Sequence, residues 1–153
     1  TIRGPSGRIL AGLSAGAYGA ADIGLRNPGV FGTIEGWGGY YHPLHDGPFK
    51  GATAATLRAN DPTLLAPVAA PVLRRDRVSF FLSTGPDHSH WFKGAETFAF
   101  LHEVRRLGLR AQGFYYPSAH GEWRTQLAQG LDYALRGPAA RATLGSGATS
   151  AGP

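Results

Sequence analysis

The sequence contains no cysteine and no methionine among its 153 residues. Without cysteine the chain can form neither disulfide bonds nor thiolate metal sites, so cysteine usage gives no indication of a redox compartment. The chain begins at Thr1 and lacks methionine, so we expect it to be a processed product or a fragment. No apolar run approaches the roughly 20 residues of a membrane helix, and the N-terminus lacks a signal-peptide pattern. The sequence therefore predicts no membrane span, and localisation stays unassigned.

Charged residues are also scarce, at 16% of the chain, whereas 42% of the residues are hydrophobic. This composition predicts one folded globular domain with a core of its own. Basic residues outnumber acidic ones 15 to 10 and cluster only at Arg74–Arg77 and Arg105–Arg106. No nucleic-acid-binding motif accompanies them, so nucleic acid is not the predicted partner. A basic nucleic-acid-binding fragment, whose affinity would fall steeply with salt, is kept as a third alternative.

Apolar runs alternate with helical patterns along the chain. Strands are predicted over residues 8–13, 30–34, 78–83 and 110–116, and helices over 15–25, 95–107 and 122–135. The glycine-rich stretch after 34 predicts a loop, and the proline-rich residues 43–77 predict an excursion with short helices over 52–58 and 62–66. We expect an α/β fold with a mostly parallel sheet and flanking helices over 1–136, and a low-complexity, disordered tail over 137–153.

The segment Gly12-Leu13-Ser14-Ala15-Gly16 fits the pattern G-x-S-x-G at the junction of a predicted strand and a predicted helix. In such a nucleophile elbow the serine has a strained backbone, and small neighbours make room for it. We expect Ala17, Gly19 and Ala20 to let the helix lie close to the sheet. Because the helix directs its free N–H groups at the serine, Ala15 N–H is the candidate oxyanion donor. The alternative interpretation is a plain glycine-rich turn.

A serine nucleophile needs a histidine base and a carboxylate that orients the histidine. Asp87 follows the third predicted strand and His120 follows the fourth, which gives the order serine, acid, histidine found in α/β-hydrolases. The carboxyl ends of parallel strands share one edge of a sheet, so Ser14, Asp87 and His120 are predicted to meet there. Asp87 could instead be an ordinary turn residue, in which case Glu96 is the reserve acid.

Two further groups of side chains fall in loops on the same edge. Trp37, Tyr40, Tyr41 and Trp91 are candidates to line a substrate pocket, with loop packing as the alternative. Histidines and carboxylates at His42, His45 and Asp46, and at Asp87, His88 and His90, could supply metal ligands. Because the spacing matches no helical ligand pattern, we predict no metal.

The segments ILAGLSAGAYGA, VFGTIEGWGGYY, FFLSTGPD and FYYPSAHGEWRTQLAQGLDYAL resemble the esterase family of α/β-hydrolases, which includes esterase D-like enzymes, feruloyl esterases and mycolyltransferases. The resemblance runs from about Arg8 to Leu135. It implies Ser14 as nucleophile, Asp87 as acid and His120 as base in acyl transfer from an ester to water or another hydroxyl. It implies no cofactor, and a small-molecule or polysaccharide-linked ester as substrate.

In that family several strands precede the elbow, and a loop among them supplies the second oxyanion donor. The chain therefore resembles the C-terminal half of a hydrolase, with the elbow strand at an open edge. We expect an N-terminal half chain or a second copy to pair with this edge, and weak catalysis without it, since each lost oxyanion donor costs on the order of 10²–10³ in rate. The alternative function is a non-catalytic α/β binding or interaction domain derived from a hydrolase.

Overall fold

A computed structural model describes residues 4–86, 94–118 and 120–146, with side chains as far as Gly137. The described residues form one sheet of four parallel strands in the order β1-β2-β3-β4. The strands are β1 (Ile9–Leu13), β2 (Thr33–Trp37), β3 (Ser79–Thr84) and β4 (Arg110–Tyr115). The helices are α1 (Ala15–Arg26), α2 (Ala54–Ala59), α3 (Pro62–Arg75), α4 (Gly94–Arg106) and α5 (Trp123–Ser146). The predicted α/β class with a parallel sheet is confirmed.

The helices cover the two faces of the sheet unequally. Helices α1, α3 and α4 connect successive strands and pack on one face, as right-handed crossovers in a sequential parallel sheet require. Their apolar side chains surround Phe80, Leu82 and Ile34 in the larger core. Helix α5 packs on the other face, where Trp37, Phe81 and Tyr133 form a smaller core. None of the helices that the structure describes is long and apolar enough to cross a membrane.

Strand β2 differs from its prediction by three residues and includes part of the predicted loop. Val30 belongs to a turn after Pro28-Gly29, and the strand instead runs through Glu35 and Gly36 to Trp37. Every residue of β2 is buried, because β1 and β3 pair with it on both sides. Backbone pairing to two neighbours stabilises a central strand whose own residues have low β-propensity.

Helix α3 is longer than the predicted helix over 62–66 and continues through Pro67 and Pro71. Asp61 caps it by accepting a hydrogen bond from Thr63 N–H at 2.8 Å. The two internal prolines lie one turn apart and are exposed, so water can reach the carbonyls that they leave without an N–H partner. The opposite face buries an apolar stripe that includes Ala66 and Leu73, and this burial outweighs the poor local propensity.

Helix α5 begins at Trp123 and continues to Ser146, eleven residues beyond the predicted end at 135. The first ten residues of the segment predicted as a disordered tail are therefore helical. Alanine recurs in this stretch, and alanine has the highest helix propensity of all residues. Residues 147–153 lie outside the described residues, and for them the low-complexity tail stays a prediction.

Candidate active site

Ser14 occupies a strained turn between β1 and α1. Its backbone dihedrals are φ 59° and ψ −122°, and only Arg77 joins it as a non-glycine residue with positive φ in the described part of the chain. Such a conformation costs on the order of 1–3 kcal/mol and persists where the surrounding structure imposes it. Ser14 N–H donates to the Trp37 carbonyl at 2.9 Å, which continues the β1–β2 ladder into the turn. The side chain is half-buried at the carboxyl edge of the sheet.

The small residues around Ser14 have different roles. A Cβ at Gly12 would overlap the carbonyl of Gly16, and a Cβ at Gly39 would overlap the side chain of Ala17. These two glycines therefore allow the turn and the loop after β2 to approach α1. A Cβ at Gly19 would meet no described atom within 4 Å. The prediction that Gly19 lets α1 lie close to the sheet is wrong, because a side chain at this position would extend into open space.

Backbone hydrogen bonds tie together the segments that follow the strands. Gly38 N–H donates to the Ser83 carbonyl at 2.8 Å, and Tyr116 N–H donates to the Thr84 carbonyl at 2.8 Å. Together with the hydrogen bond between Ser14 and Trp37, these contacts hold the carboxyl ends of all four strands together at one edge of the sheet. Side chains in the loops of this edge are therefore held on a rigid frame around the elbow.

The predicted partners of Ser14 are described to different extents. Ala15 is exposed and is the first residue of α1. Because the first N–H groups of an α-helix have no carbonyl one turn earlier, the N–H of Ala15 has no acceptor within the helix. His120 is exposed in the turn between β4 and α5. Asp87 and Trp91 lie outside the described residues. The assignments of oxyanion donor, base and acid to Ala15, His120 and Asp87 stay predictions.

The predicted pocket aromatics occupy different environments. Tyr41 is fully buried and stacks on Phe100 with the ring centroids 4.4 Å apart, and Trp37 is only 7% exposed in the core beneath α5. Both side chains pack the interior, in agreement with the loop-packing alternative and not with contact to a substrate. Tyr40 is partly exposed and stacks on Tyr18 of α1 at 5.5 Å. Among the described aromatics of this set, Tyr40 is the one that borders the solvent.

Glu96 joins the loop after β2 to the start of α4. Its Oε1 accepts from Tyr41 N–H at 2.6 Å and lies 2.5 Å from His42 Nδ1. Thr97 Oγ1 donates to the Gly39 carbonyl at 3.2 Å and strengthens the same junction. The reserve acid thus contacts His42, a pairing that no motif in the sequence indicated. Within the described residues no group of three potential ligands could hold a metal ion, and His88 and His90 lie outside them.

The sequence analysis also missed a buried carboxyl group on the α5 side of the sheet. Glu35, assigned to a loop from the glycine around it, is 1% exposed in the middle of β2. Burial raises its pKa from 4.5 to about 7, and the neighbouring Trp37 side chain acts in the opposite direction. Its Oε1 has no hydrogen-bond partner in the described part of the chain. The absence of a side chain at Gly130 leaves the space that the carboxyl group fills.

A family model described as "Putative esterase" matches residues 3–134 of the chain. No curated protein matches the chain. Among solved structures, a ferulic acid esterase is 23% identical with a TM-score of 0.67, over 87% of this chain and 53% of that one. MPT51 of Mycobacterium tuberculosis is 19% identical with a TM-score of 0.55, over 81% and 58%. An S-formylglutathione hydrolase of Staphylococcus aureus is 14% identical with a TM-score of 0.62, over 85% and 55%.

At these identities the likeness to solved structures shows a shared fold. The chain spans just over half the length of each of these structures. The family match confirms the resemblance inferred from the sequence motifs, and it covers β1 to β4, the elbow and the first half of α5.

Proposed function

This chain belongs to the esterase family, and on that basis we propose that it hydrolyses carboxylic esters with Ser14 as the nucleophile. The observation that carries the proposal is the backbone of Ser14, at φ 59° and ψ −122° between a buried parallel sheet and the start of α1. A serine held in this conformation presents its hydroxyl above the sheet edge. A plain glycine-rich turn would place a glycine, and not a serine, at the strained position.

The proposed mechanism assigns His120 as the base and Asp87 as the acid. Ser14 Oγ attacks the ester carbonyl while His120 takes the hydroxyl proton, and His120 then protonates the leaving alcohol. Water then attacks the acyl-enzyme while His120 takes a proton from the water. His120 returns this proton to Ser14 Oγ, and the carboxylic acid product is released. Support comes from the chain order and from the position of His120 in the turn after β4, at the edge where Ser14 lies.

The developing oxyanion would be stabilised by Ala15 N–H. This group begins a helix of 12 residues, whose dipole places partial positive charge at its N-terminus. The proposed substrate is a small-molecule or polysaccharide-linked ester, and transfer of the acyl group to another hydroxyl would use the same intermediate. Tyr40 borders the site on the side of the loop after β2 and is the proposed contact for the substrate.

A fluorophosphonate probe tests this proposal, because it phosphonylates serines that are activated as nucleophiles. We expect labelling of the purified protein at Ser14 and its loss in Ser14→Ala. Ser6→Ala is the matched control, since Ser6 lies just before β1, at the amino ends of the strands and away from Ser14. Labelling that survives Ser14→Ala, or a folded protein that takes up no probe, would contradict the proposal and favour a non-catalytic binding domain.

A further inference from the structure

Strand β4 and helix α5 form the walls of a cavity of about 420 Å³. Arg110, Gln112 and Phe114 alternate along β4, so they project from the face of the strand that α5 covers. The residues that line the cavity from α5 recur at helical spacing and form one stripe: Gln129, Asp132, Tyr133 and Arg136. Side chains of two elements therefore face one space, which we call the β4–α5 groove.

The two arginines lie at the same end of the β4–α5 groove. Tyr116, which follows β4, donates a hydrogen bond to Gln129 of α5. Arg110, which begins β4, instead contacts Tyr133, one turn further along the helix. Helix α5 therefore runs antiparallel to β4, and Arg136 lies beyond Tyr133 at the end where Arg110 lies. Gln129 lies toward the opposite end.

Each guanidinium group is held by a neighbour that leaves part of its N–H groups for another acceptor. The Cζ atom of Arg110 lies 4.9 Å from the centroid of the Tyr133 ring, and none of the ion pairs among the described residues includes Arg110. Stacking occupies the face of a guanidinium group and leaves its N–H edge for hydrogen bonds. The Nε of Arg136 lies 3.0 Å from one carboxylate oxygen of Asp132 and 2.8 Å from the other, so this pairing leaves the Nη groups. Both arginines are therefore preorganised donors.

The glutamines supply neutral hydrogen-bonding groups further along the groove. Because Tyr116 donates to Oε1 of Gln129, this amide is oriented and its N–H groups are left for another acceptor. Gln112 lies between Arg110 and Phe114 in the row on β4 and is exposed. A carboxamide both donates and accepts hydrogen bonds, as a hydroxyl group does. The glutamines therefore match a ligand that carries hydroxyl groups.

The charge of the groove favours an anion. Two guanidinium groups and one carboxylate line it, so the lining carries a net positive charge. The N–H fork of an arginine matches the oxygens of a carboxylate or a phosphate group. We propose that the β4–α5 groove binds a small hydroxylated anion, with the carboxylate or phosphate group at the arginine end and the hydroxyl groups toward the glutamines.

The groove and the proposed nucleophile lie in different parts of the sheet. Ser14 follows β1 at the carboxyl ends of the strands, whereas Arg110 begins β4 at the amino ends. The strand order places β1 and β4 at opposite edges of the described sheet. Binding of an anion in the groove therefore goes beyond ester hydrolysis at Ser14 and does not require it.

Three sugars with one carbon skeleton test this proposal: glucuronate, glucose 6-phosphate and glucose. They carry a carboxylate, a phosphate or a neutral hydroxyl group at the same carbon. Each is titrated into the ¹⁵N-labelled chain, and the NMR shifts of the Gln112 and Gln129 amides give its dissociation constant. We expect at least one of the two anions to bind, and to bind at least ten-fold more tightly than glucose. The anion that binds more tightly identifies the charged group that the arginines accept.

Two substitutions each remove one positive charge from the groove. Arg110→Gln and Arg136→Gln should weaken the binding of that anion about ten-fold or more, the factor that a hydrogen bond to a charged group contributes. Both side chains are exposed, so the variants should fold, as circular dichroism would verify. Arg58→Gln is the matched control, because it removes the same charge from an exposed position on α2. This control and Ser14→Ala should both retain the affinity of the wild type.

Inorganic phosphate and acetate carry the charge without the hydroxyl groups, and both should bind more weakly than the sugar anions. The proposal would be overturned if neither sugar anion shifted the glutamine amides, and Arg110 would then serve only to protect the edge strand. Equal affinity for glucose, for inorganic phosphate or for acetate would overturn it as well, as would an equal loss in Arg58→Gln.

This titration uses no ester and reads out binding alone. Its failure would therefore leave the assignment of Ser14 standing. Conversely, a chain that binds a sugar anion but takes up no fluorophosphonate would retain the β4–α5 groove as an anion site and lose the proposed esterase activity.

Discussion

At the scale of single residues, Glu35 is the side chain with the most unusual environment. A carboxyl group buried in the middle of a sheet is stable only in its neutral form unless it is paired. Among the described residues, the titratable or charged groups that act on Glu35 and its neighbour Tyr133 include Tyr133 itself on α5, Arg110 of β4 and Arg105 of α4. None of them forms an ion pair with Glu35 in the described structure, and burial dominates the pKa of Glu35.

The raised pKa of Glu35 predicts that stability falls as the pH rises. The unfolded chain releases this proton near pH 4.5 and the folded chain near pH 7, so the folded state is favoured below that window and loses the advantage through it. The shift corresponds to about 3 kcal/mol. We expect the free energy of unfolding of the wild type, relative to that of Glu35→Gln, to fall by about this amount as the pH rises from 4.5 to 7.5. Urea unfolding of both proteins at each pH measures this difference.

Glu103→Gln provides the control for this measurement. Glu103 is partly exposed on α4 and paired with Arg106, which lowers the pKa of Glu103. Replacing Glu103 should leave the decline in the free energy of unfolding between pH 4.5 and 7.5 unchanged. If the free energy of unfolding changed with pH in the same way for Glu35→Gln as for the wild type, Glu35 would have an ordinary pKa in the folded protein, and the prediction would be wrong.

At the scale of elements, the packing of α5 on β2 depends on the pairing of Glu35 with Gly130. A Cβ at Gly130 would overlap the Glu35 carboxyl group, which is enclosed and has little room to move. We predict that Gly130→Ala destabilises the protein by about 1–3 kcal/mol, as overpacking does. In a Glu35→Ala background the same change should be neutral, or stabilising by about 0.5–1 kcal/mol from helix propensity.

A double-mutant cycle measured by urea unfolding would show this coupling. Gly19→Ala is the matched control, since a Cβ there meets no described atom within 4 Å and should stabilise α1. Additive effects of Gly130→Ala and Glu35→Ala would contradict the proposed contact between helix and strand.

Helix α3 provides a second prediction at this scale. Pro67 lies inside the helix on its exposed side, where it removes a backbone hydrogen bond. Pro67→Ala should therefore raise the free energy of unfolding by about 1–3 kcal/mol, less the entropy that proline removes from the unfolded chain.

Pro62→Ala is the comparison within the same helix. Pro62 is buried in the first turn, where proline is favourable, so its replacement should lower the free energy of unfolding. If Pro67→Ala also destabilised the protein in urea unfolding, α3 would be held by a contact of the proline ring and not by the apolar stripe alone.

At the scale of the whole molecule, the order of the elements was predictable and some of their bounds were not. Strand β1, helix α1 and strand β4 begin and end within one residue or two of the predictions. Strand β2 was misplaced because its residues Glu35 and Gly36 are poor strand formers, and only pairing to strands distant in sequence makes the segment extended. Helix α3 was predicted too short because local signals at Pro67 outweighed a stripe buried against distant elements.

The sequence by itself determined the elbow and the alternation of strands and helices. Gly12 lies against the carbonyl of Gly16, four residues along the chain, and the apolar periods are local properties of the chain. Only the tertiary structure decided that Trp37 and Tyr41 pack the interior, that Glu96 holds His42, and that Glu35 lies enclosed beneath α5. Burial and side-chain pairing depend on segments that meet in space, and spacing along the chain does not encode them.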